Sequence, residues 1–320
     1  MGADGHHRKG DFSMQMIIHP HELTPRWIEL AKKLKLERVA LHPVGGISAH
    51  ETLQNMLTTL QDPAFRAKID ELWDNCIEVG YEFHAVSYLL PREFFETHPE
   101  YFRMNDQGER VTKGNFCFSN PEARKIICQN AVKLAKELYR SCNEYYFWLD
   151  DATKLTCHCE ECKKHNYAYH QLTLMNEIAT ELRKENSDAK VCYLAYYEGV
   201  AIPNGEIKPA PGVFVEYAPF ERYTKPDQFS WDEPYLQLVK DIVAFFGKKD
   251  SKVLEYWYDN SIYYRRAGKK LVPFTPNNEQ IKKDLVFYKD LGFEQMSCFA
   301  CSLCDEYVSL FGDPDFSALE

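Results

Sequence analysis

The sequence predicts a single (β/α)₈ barrel, the TIM-barrel fold, on three observations. Eight short apolar segments recur along the 320 residues, and helical periodicity separates most of them. Several segments are apolar at nearly every position, as strands of a parallel sheet buried on both faces are. Eight β/α units in about 300 residues is an ordinary size for this fold. A doubly wound sheet is the alternative, but no glycine-rich phosphate loop follows the first strand.

The predicted elements follow one another in a regular order. The strand segments are MQMIIHP, RVALHP, YEFHAVSYLLP, YYFWLDD, AKVCYLAYY, GVFVEYAPF, KVLEYWYDN and FEQMSCFAC. The first helix segment is TPRWIELAKKLKL, with Thr24 as N-cap and Pro25 at the first helical position. The later helix segments are PAFRAKIDELWDNCIEVG, NPEARKIICQNAVKLAKELYR, HQLTLMNEIATELRKEN, EPYLQLVKDIVAFFG and EQIKKDLVFYKDLG. A Pro- and Gly-rich connection, residues 199–211, replaces the helix between strands five and six.

Composition limits the partners. The net charge is −10 and there is no long basic run, which argues against nucleic acid. No stretch reaches the roughly 18 apolar residues of a membrane span. Residues 1–14 are polar and have no apolar signal-peptide core, so we expect a disordered leader, a barrel over 15–320 and a cytoplasmic location. A carbohydrate suits this acidic surface, and no motif indicates an organic cofactor.

The carboxyl ends of the strands, where such barrels carry their chemistry, are rich in polar and aromatic residues. Aromatic rings stack on the C–H faces of sugars and carboxylates bind hydroxyls, so this rim predicts a carbohydrate pocket. Some of the aromatic residues could instead only fill the barrel. The predicted substrate-binding residues are His19, His42, His84, Tyr196, Tyr197, Glu216, Trp257, Tyr258, Asp259 and Asn260.

Asp150 and Asp151 end the fourth strand and are the predicted catalytic residues. Two carboxylates that share a low-dielectric site cannot easily both ionise, so one would keep a raised pKa and protonate a leaving group. The other would orient the substrate and stabilise developing charge. Alternatively, one of the two points away and caps a loop, because successive strand residues face opposite sides.

A Cys-x-Cys-x-x-Cys motif follows directly. Cys157, Cys159 and Cys162 are spaced to chelate one metal ion, and a tetrahedral zinc site needs a fourth ligand. Cys117, in the neighbouring loop after strand three, is the best candidate; His158 and His165 are the alternatives. Four thiolates leave no open position, so this Zn²⁺ would be structural and would hold the aspartate loop. We interpret Cys298, Cys301 and Cys304 as structural thiols; an iron–sulfur cluster is the alternative.

The segments HPEYFRMNDQGERV, FCFSNPEARKIICQNAVKLAKEL, CHCEECKK, KVCYLAYY and APGVFVEYAPFER resemble a bacterial domain of unknown function, number 4838, over residues 15–312. That family neighbours the hexosaminidase-like glycoside hydrolases. The resemblance implies a (β/α)₈ barrel and a carbohydrate substrate.

Two likenesses are local. FWLDDA is similar to the double aspartate of glycoside hydrolase family 84, which removes β-linked N-acetylglucosamine. The likeness implies that Asp150 handles the acetamido group and Asp151 is the general acid; WYDNS matches that family's Asp-Asn step at Asp259 and Asn260. The four cysteines resemble the zinc cluster of family 42 β-galactosidases, whose catalytic Asn-Glu pair has no equivalent here.

The leading functional hypothesis is therefore a β-N-acetylhexosaminidase-like enzyme with substrate-assisted catalysis. One alternative is a retaining glycosidase with Asp151 as acid and Glu216 or Glu255 as nucleophile. Another is a barrel that binds glycans without catalysis. A metal-dependent amidohydrolase is disfavoured: the HPH sequence at His19 to His21 fits that class, but no histidine follows His170 to supply its later ligands.

Overall fold

The chain forms a closed eight-stranded parallel barrel, as predicted from the sequence. The computed structural model describes residues 13–224 and 229–320. The strands pair in chain order, and β8 pairs with β1 from Ser13 opposite Gln295 to Ile17 opposite Phe299. The strands are β1 (Ser13–Ile18), β2 (Arg38–Leu41), β3 (Glu78–His84), β4 (Glu144–Trp148), β5 (Lys190–Ala195), β6 (Val213–Tyr217), β7 (Lys252–Glu255) and β8 (Gln295–Phe299).

Helices surround the barrel. They are α1 (Pro25–Lys33), α2 (Ala49–Thr59), α3 (Pro63–Asp74), α4 (Val86–Leu89), α5 (Pro121–Glu137), α6 (Tyr167–Glu185), α7 (Phe220–Thr224), α8 (Glu233–Phe246), α9 (Ser261–Arg266), α10 (Asn278–Leu291) and α11 (Asp305–Phe311). As predicted, no α-helix lies between β5 and β6, a connection that the described residues include in full. Helix α2 was not predicted, and the apolar run after His84 turns into α4 instead of extending β3.

Helix ends follow their capping residues. The Asn120 side chain accepts from the N–H of Ala123 at 3.0 Å, and the Asn166 side chain accepts from the N–H of Tyr169 at 2.9 Å. Thr24 precedes α1 as predicted, but its hydroxyl makes no capping bond; it donates to Asp305 Oδ1 at 2.9 Å and so ties the start of α1 to α11.

The barrel interior is charged at the amino-terminal ends of the strands. Glu144 accepts hydrogen bonds from Arg38 at 2.6 Å and from Lys252 at 2.7 Å, and all three side chains are buried. Glu82 lies in the same region and accepts from Gln15, but its second oxygen has no partner among the described residues. Burial and the nearby Glu216 raise the pKa of Glu82 well above its ordinary range. Towards the carboxyl-terminal ends of the strands, the interior is apolar and aromatic. These residues form the floor of the pocket at that end of the barrel.

Two predictions concern the chain outside the barrel. Residues 1–12 of the predicted leader lie outside the described residues, whereas Ser13 and Met14 belong to β1, so the barrel starts two residues earlier than predicted. Among the described residues, no helix combines the length and the apolar character that crossing a bilayer requires.

Candidate functional site

A pocket of about 540 Å³ opens at the carboxyl ends of the strands. Every strand contributes to it, either directly or through the loop that follows it. Its polar and aromatic lining consists of His19, His21, Glu22, His42, His84, Trp148, Asp151, Tyr196, Phe220, Tyr256, Asp259, Ser261, Tyr264, Arg265, Lys269, Phe299, Cys301, Ser302, Cys304 and Glu306. Six of the predicted site residues are in this lining: His19, His42, His84, Asp151, Tyr196 and Asp259.

Three histidines line the side of the pocket formed by β1, β2 and β3. The Nδ1 of His19 donates to the carbonyl of His42 at 2.7 Å, and the Nδ1 of His42 donates to the carbonyl of Glu82 at 2.8 Å. His84 donates in the same way to the carbonyl of Leu149. Burial lowers the pKa of His19 and, more strongly, that of His42. The neutral rings of His19 and His42, which are tethered through Nδ1, leave Nε2 as a fixed hydrogen-bond acceptor.

The floor and the opposite wall are aromatic. The ring of Tyr256 stacks on Phe299, with centroids 5.2 Å apart, and packs against Phe220 at 5.1 Å. Trp148 lies beside His42 and His84, at 5.8 and 5.3 Å between centroids. Apolar ring faces bordered by hydrogen-bonding groups are what a pyranose ring requires of a binding site.

Asp151 lies at the edge of this aromatic surface. Its Oδ1 accepts a hydrogen bond from the hydroxyl of Tyr196 at 3.1 Å. Burial raises the pKa of that tyrosine, so it remains a donor at neutral pH. On the other side the chain at Gly45 approaches closely: a Cβ there would lie 3.3 Å from Asp151 Oδ2 and 2.9 Å from His84 Cδ2. A residue without a side chain is therefore needed at position 45 to keep the space around Asp151.

Asp150 does not line the pocket. Its carboxylate accepts from Arg92 at 3.3 Å, and its N–H donates to Asn115 Oδ1 at 2.9 Å. Burial raises the pKa of Asp150, and Arg92 opposes the shift. The chain turns sharply here, because the N–H of Ala152 donates to the Asp150 carbonyl at 2.9 Å. The two aspartates thus face different surroundings, and the predicted direct role of Asp150 at the substrate has no support from this geometry.

Asp259, after β7, is the second predicted carboxylate that reaches the pocket. It accepts from the N–H of Ser261 at 2.8 Å, from the Ser261 hydroxyl at 3.1 Å and from the hydroxyl of Tyr223 at 3.2 Å. Burial raises the pKa of Asp259, whereas these hydrogen bonds and nearby His19 oppose the shift. Its neighbours only donate to it, so the carboxylate acts as an acceptor held in place.

Glu22, close to His19, was not predicted. One oxygen accepts from the N–H of His19 at 2.9 Å and the other from the N–H of Ser302 at 2.6 Å, so the side chain joins the loops after β1 and β8. Burial raises the pKa of Glu22 to about 7.

Five predicted binding residues lie outside the pocket lining. Glu216 points into the barrel below it and accepts from Ser297 at 2.6 Å. Trp257 turns outward and donates to Asp284 at 2.9 Å, and the buried ring of Tyr258 packs on Phe316. The remaining two are Tyr197, which packs on the outer side of Tyr196, and Asn260, which donates to the Val272 carbonyl.

The proposed alternative nucleophiles are likewise misplaced. Glu255 faces the helical layer, where it accepts from Arg222 and Tyr288. Because Leu254 and Tyr256 point inward on β7, Glu255 between them must point outward. With Glu216 below the pocket, neither residue can attack a substrate there.

The four cysteines predicted to hold zinc lie together. The sulfur atoms of Cys117, Cys157, Cys159 and Cys162 are all within 4.8 Å of one another, and the four residues are buried. The Sγ atoms of Cys117 and Cys159 are 3.7 Å apart. A tetrahedral ion with Zn–S bonds of about 2.3 Å separates its sulfurs by about 3.8 Å. The competing ligands His158 and His165 are not in the group.

Backbone donors surround this cluster. The N–H of Met104 donates to Cys157 at 3.2 Å, and the N–H of Ser119 donates to Cys162 at 3.3 Å. Donors aimed at sulfur favour thiolates, the form that binds metal. The residues therefore fit a structural zinc ion, whose role would be to hold the two loops together.

The last cysteine triplet is divided between two faces of the barrel wall. Cys301 faces the interior and the pocket, whereas Cys298 packs outward into the helical layer. Cys304 lies in the pocket rim. These three thiols cannot share one ion.

The pocket residues that the sequence prediction missed include Trp148, Tyr256, Phe299 and Cys301. Alternation along the strands carries the missing signal: Tyr256 follows inward Leu254 by two residues, and Cys301 follows inward Phe299 by two. Residues from surrounding loops, such as Arg265 and Lys269, carry no comparable pattern.

Comparison with known proteins agrees with this fold. Residues 50–299 match the family model described as Domain of unknown function (DUF4838). No protein with a curated description matches the chain. The chain is similar to the structure of endo-glycoceramidase II from Rhodococcus sp. in its lactosyl-enzyme intermediate, with a TM-score of 0.53 and 10% identity over 90% of this chain and 73% of that one.

A second similar structure is that of the tandem GH20 catalytic modules of a pneumococcal exo-β-D-N-acetylglucosaminidase. It has a TM-score of 0.51 and 11% identity, over 91% of this chain and 78% of that one. At such identities the similarity establishes a common (β/α)₈ architecture with glycoside hydrolases and no particular activity.

Proposed function

We propose that this chain, which belongs to the DUF4838 family, is a glycoside hydrolase and that Asp151 is its proton donor. The observation that carries the proposal is the position of Asp151: its carboxyl lies in an aromatic pocket at the carboxyl rim of the barrel, in a hydrogen bond with Tyr196. A carboxyl beside the apolar faces that a sugar ring would cover is in place to protonate a departing glycosidic oxygen.

Asp259 takes the role of the second carboxylate. It lines the same pocket, whereas Asp150 is engaged with Arg92 outside it. In a substrate-assisted reaction Asp259 would hold the acetamido group whose oxygen attacks the anomeric carbon. In a two-carboxylate reaction it would itself attack that carbon or activate water.

The substrate class we favour is an N-acetylhexosaminide. The support is the FWLDDA likeness, and the similar barrel of a pneumococcal exo-β-D-N-acetylglucosaminidase is compatible with it. The row of histidine acceptors offers partners for sugar hydroxyls and for an acetamido N–H. Because Asp151 and Asp259 follow β4 and β7 and line one pocket, a two-carboxylate glycosidase is the second candidate.

The test compares two leaving groups. Wild type and Asp151→Asn are assayed on 4-nitrophenyl glycosides and on the matching methyl glycosides, with and without a 2-acetamido group. We expect a loss of about 10²–10⁴-fold on the methyl glycosides, which need protonation, and a much smaller loss on the activated ones. Glu198→Gln, a rim carboxylate outside the pocket lining that accepts from the N–H of Lys154, is the matched control.

Two outcomes separate the mechanisms. If hydrolysis requires the 2-acetamido group, the substrate-assisted mechanism is supported. If 2-deoxy-2-fluoro glycosides instead trap a sugar on Asp259, the enzyme is a two-carboxylate glycosidase. Equal, small effects of Asp151→Asn on both leaving groups, or no hydrolysis by wild type, would contradict the proposal and favour a glycan-binding barrel.

A further inference from the structure

A second group of metal-ligating side chains lies in the wall of the pocket, away from the four cysteines. A ring nitrogen of His19, a carboxylate oxygen of Glu22 and the Sγ of Cys301 are all within 4.8 Å of one another. They come from the loop after β1 and from the residues just after β8. Because β1 and β8 are paired neighbours, closure of the barrel is what brings the three together.

The orientation of the His19 ring is suited to coordinating a metal ion. Its Nδ1 donates to the carbonyl of His42 at 2.7 Å. Metal-binding histidines characteristically donate their other ring N–H to a carbonyl or a carboxylate, which fixes the ring and leaves one lone pair for the ion. The nitrogen that remains available on His19 is therefore Nε2.

Glu22 presents a buried carboxylate that lacks a cationic partner. Only about 1% of the residue is exposed, and no lysine or arginine among the described residues forms an ion pair with it. Two backbone N–H groups donate to it, one to each oxygen, and each oxygen keeps a further lone pair. Buried charges in proteins are normally paired with an opposite charge or bound to a metal ion.

Cys301 completes the set. The residue is about 1% exposed, and its sulfur makes a long contact, 3.7 Å, with the carbonyl of Ile17. A purely apolar role would place its sulfur among hydrocarbon groups, but here it lies beside an imidazole and a carboxylate. One nitrogen, one oxygen and one sulfur ligand form a set that Zn²⁺ accepts readily.

We propose that His19, Glu22 and Cys301 bind a zinc-class divalent ion in the wall of the pocket, in addition to the ion that fits the four cysteines. Three protein ligands leave at least one coordination position open, and all three residues line the pocket. Oxygen atoms of a bound sugar could fill it. The site differs from that of metal-dependent amidohydrolases, because a cysteine and a glutamate take the place of the later histidines.

Cobalt(II) tests the proposal without any sugar. Protein purified with its tightly held zinc is dialysed against a weak chelator, which should empty a three-ligand site before a four-thiolate one, and is then titrated with Co²⁺. We expect one equivalent to bind, with ligand-field bands of a tetrahedral or five-coordinate ion and a thiolate-to-cobalt charge-transfer band typical of a single sulfur. The expected zinc content after dialysis is one ion per chain.

Three variants identify the ligands. Cys301→Ser should abolish the charge-transfer band, and His19→Ala should weaken Co²⁺ binding by more than about tenfold. Cys304→Ser, which alters a pocket cysteine outside the ligand group, should bind cobalt as wild type does. Failure of cobalt to bind, or a charge-transfer band that persists in Cys301→Ser, would overturn the proposal.

X-ray absorption on the cobalt-loaded wild type gives an answer even if a variant does not fold. One sulfur with nitrogen and oxygen neighbours supports the site, whereas four sulfurs would mean that cobalt had only exchanged into the cysteine cluster. Because neither measurement involves hydrolysis, the metal site can fail while the proposed glycosidase activity stands, and the reverse.

Discussion

The hydroxyl of Tyr196 donates a hydrogen bond to Asp151 Oδ1 across 3.1 Å, and among the described residues no other side chain hydrogen-bonds to that carboxyl. Tyr196→Phe should therefore lower kcat/KM on the proposed N-acetylhexosaminide substrates by up to about tenfold, since a hydrogen bond between uncharged groups contributes about 0.5–1.5 kcal/mol. Steady-state kinetics check it. Tyr101→Phe, which alters a tyrosine outside the pocket lining whose ring stacks on His98, should leave kcat/KM within about twofold of wild type; a matching loss in both variants would mean that the effect is not specific to the hydrogen bond with Asp151.

Asp150 should act by positioning its neighbour. Asp150→Asn removes the anionic partner of Arg92, which is three-quarters buried and, among the described residues, keeps only its hydrogen bond to the Gly114 carbonyl. We expect a loss of stability of about 1–3 kcal/mol and a reduction of kcat that is the same for activated and poor leaving groups. Urea unfolding and the two-substrate assay measure these quantities. A leaving-group dependence like that of Asp151→Asn would instead show that Asp150 takes part in proton transfer.

The four-cysteine cluster should make the protein depend on zinc. Cys159→Ser leaves three thiolates, so we expect zinc retained after dialysis to fall well below one per chain and the melting temperature to drop. The free energy of structural zinc binding is large and is added to the stability of the fold. Elemental analysis and thermal unfolding test this, with the exposed Cys76→Ser as control. Unchanged zinc and an unchanged melting temperature in Cys159→Ser would remove the case for the ion.

The charged interior of the barrel should be costly to disturb. Glu144→Gln removes the carboxylate that both Arg38 and Lys252 contact; it leaves buried Lys252 without its anion and leaves Arg38 with Glu78 alone. Breaking a buried ion pair in this way costs about 3–5 kcal/mol. By contrast, Glu185→Gln breaks the exposed pair with Lys136 and should cost less than about 1 kcal/mol. Urea unfolding of the two variants compares them, and similar losses would contradict the interpretation.

Glu82 should make stability fall as pH rises. Its pKa in the folded chain lies above the ordinary value of 4.5, so above pH 4.5 the folded chain holds a proton that the unfolded chain has released. The contribution of Glu82 to the free energy of unfolding is therefore fully present below pH 4.5. It decreases above that pH, until the pH passes the pKa of Glu82 in the folded chain. The slope is at most about 1.4 kcal/mol per pH unit for one proton.

Glu82→Gln should reduce this slope, because the amide does not titrate. Free energies of unfolding in urea between pH 5 and pH 8 measure the difference. Glu137→Gln, on the exposed face of α5, should keep the wild-type slope. Parallel curves for wild type and Glu82→Gln would show that Glu82 is not protonated in the folded chain.

The strands and the histidines were predictable because the signal is local. Strands buried on both faces are continuously apolar, and His42 and His84 each come directly after or at the end of such a run. The chelating spacing of Cys157, Cys159 and Cys162 is likewise visible in six residues. Cys117 required one further step, the adjacency of consecutive loops in a barrel.

The orientation of residues beyond the strand ends was not predictable in the same way. Alternation from Trp148 would turn Asp150 inward, but the chain leaves the sheet there, and the turn directs Asp151 to the pocket instead. After β7, by contrast, alternation gives the correct residue: Tyr256 follows inward Leu254 by two and lines the pocket. The prediction had instead assigned Trp257 and Tyr258 to substrate binding. Side-chain direction after a strand depends on the turn, and turn geometry here is set by contacts with other loops.

The pairing of β1 with β8 has a practical consequence for anyone who trims this protein. The matched family segment, residues 50–299, omits β1 and β2. A fragment cut to those bounds would retain six strands with β3 and β8 as open edges, and such edges recruit other chains and aggregate. It would also lose His19 and His42, so domain boundaries taken from sequence matching would yield an insoluble product with half a pocket.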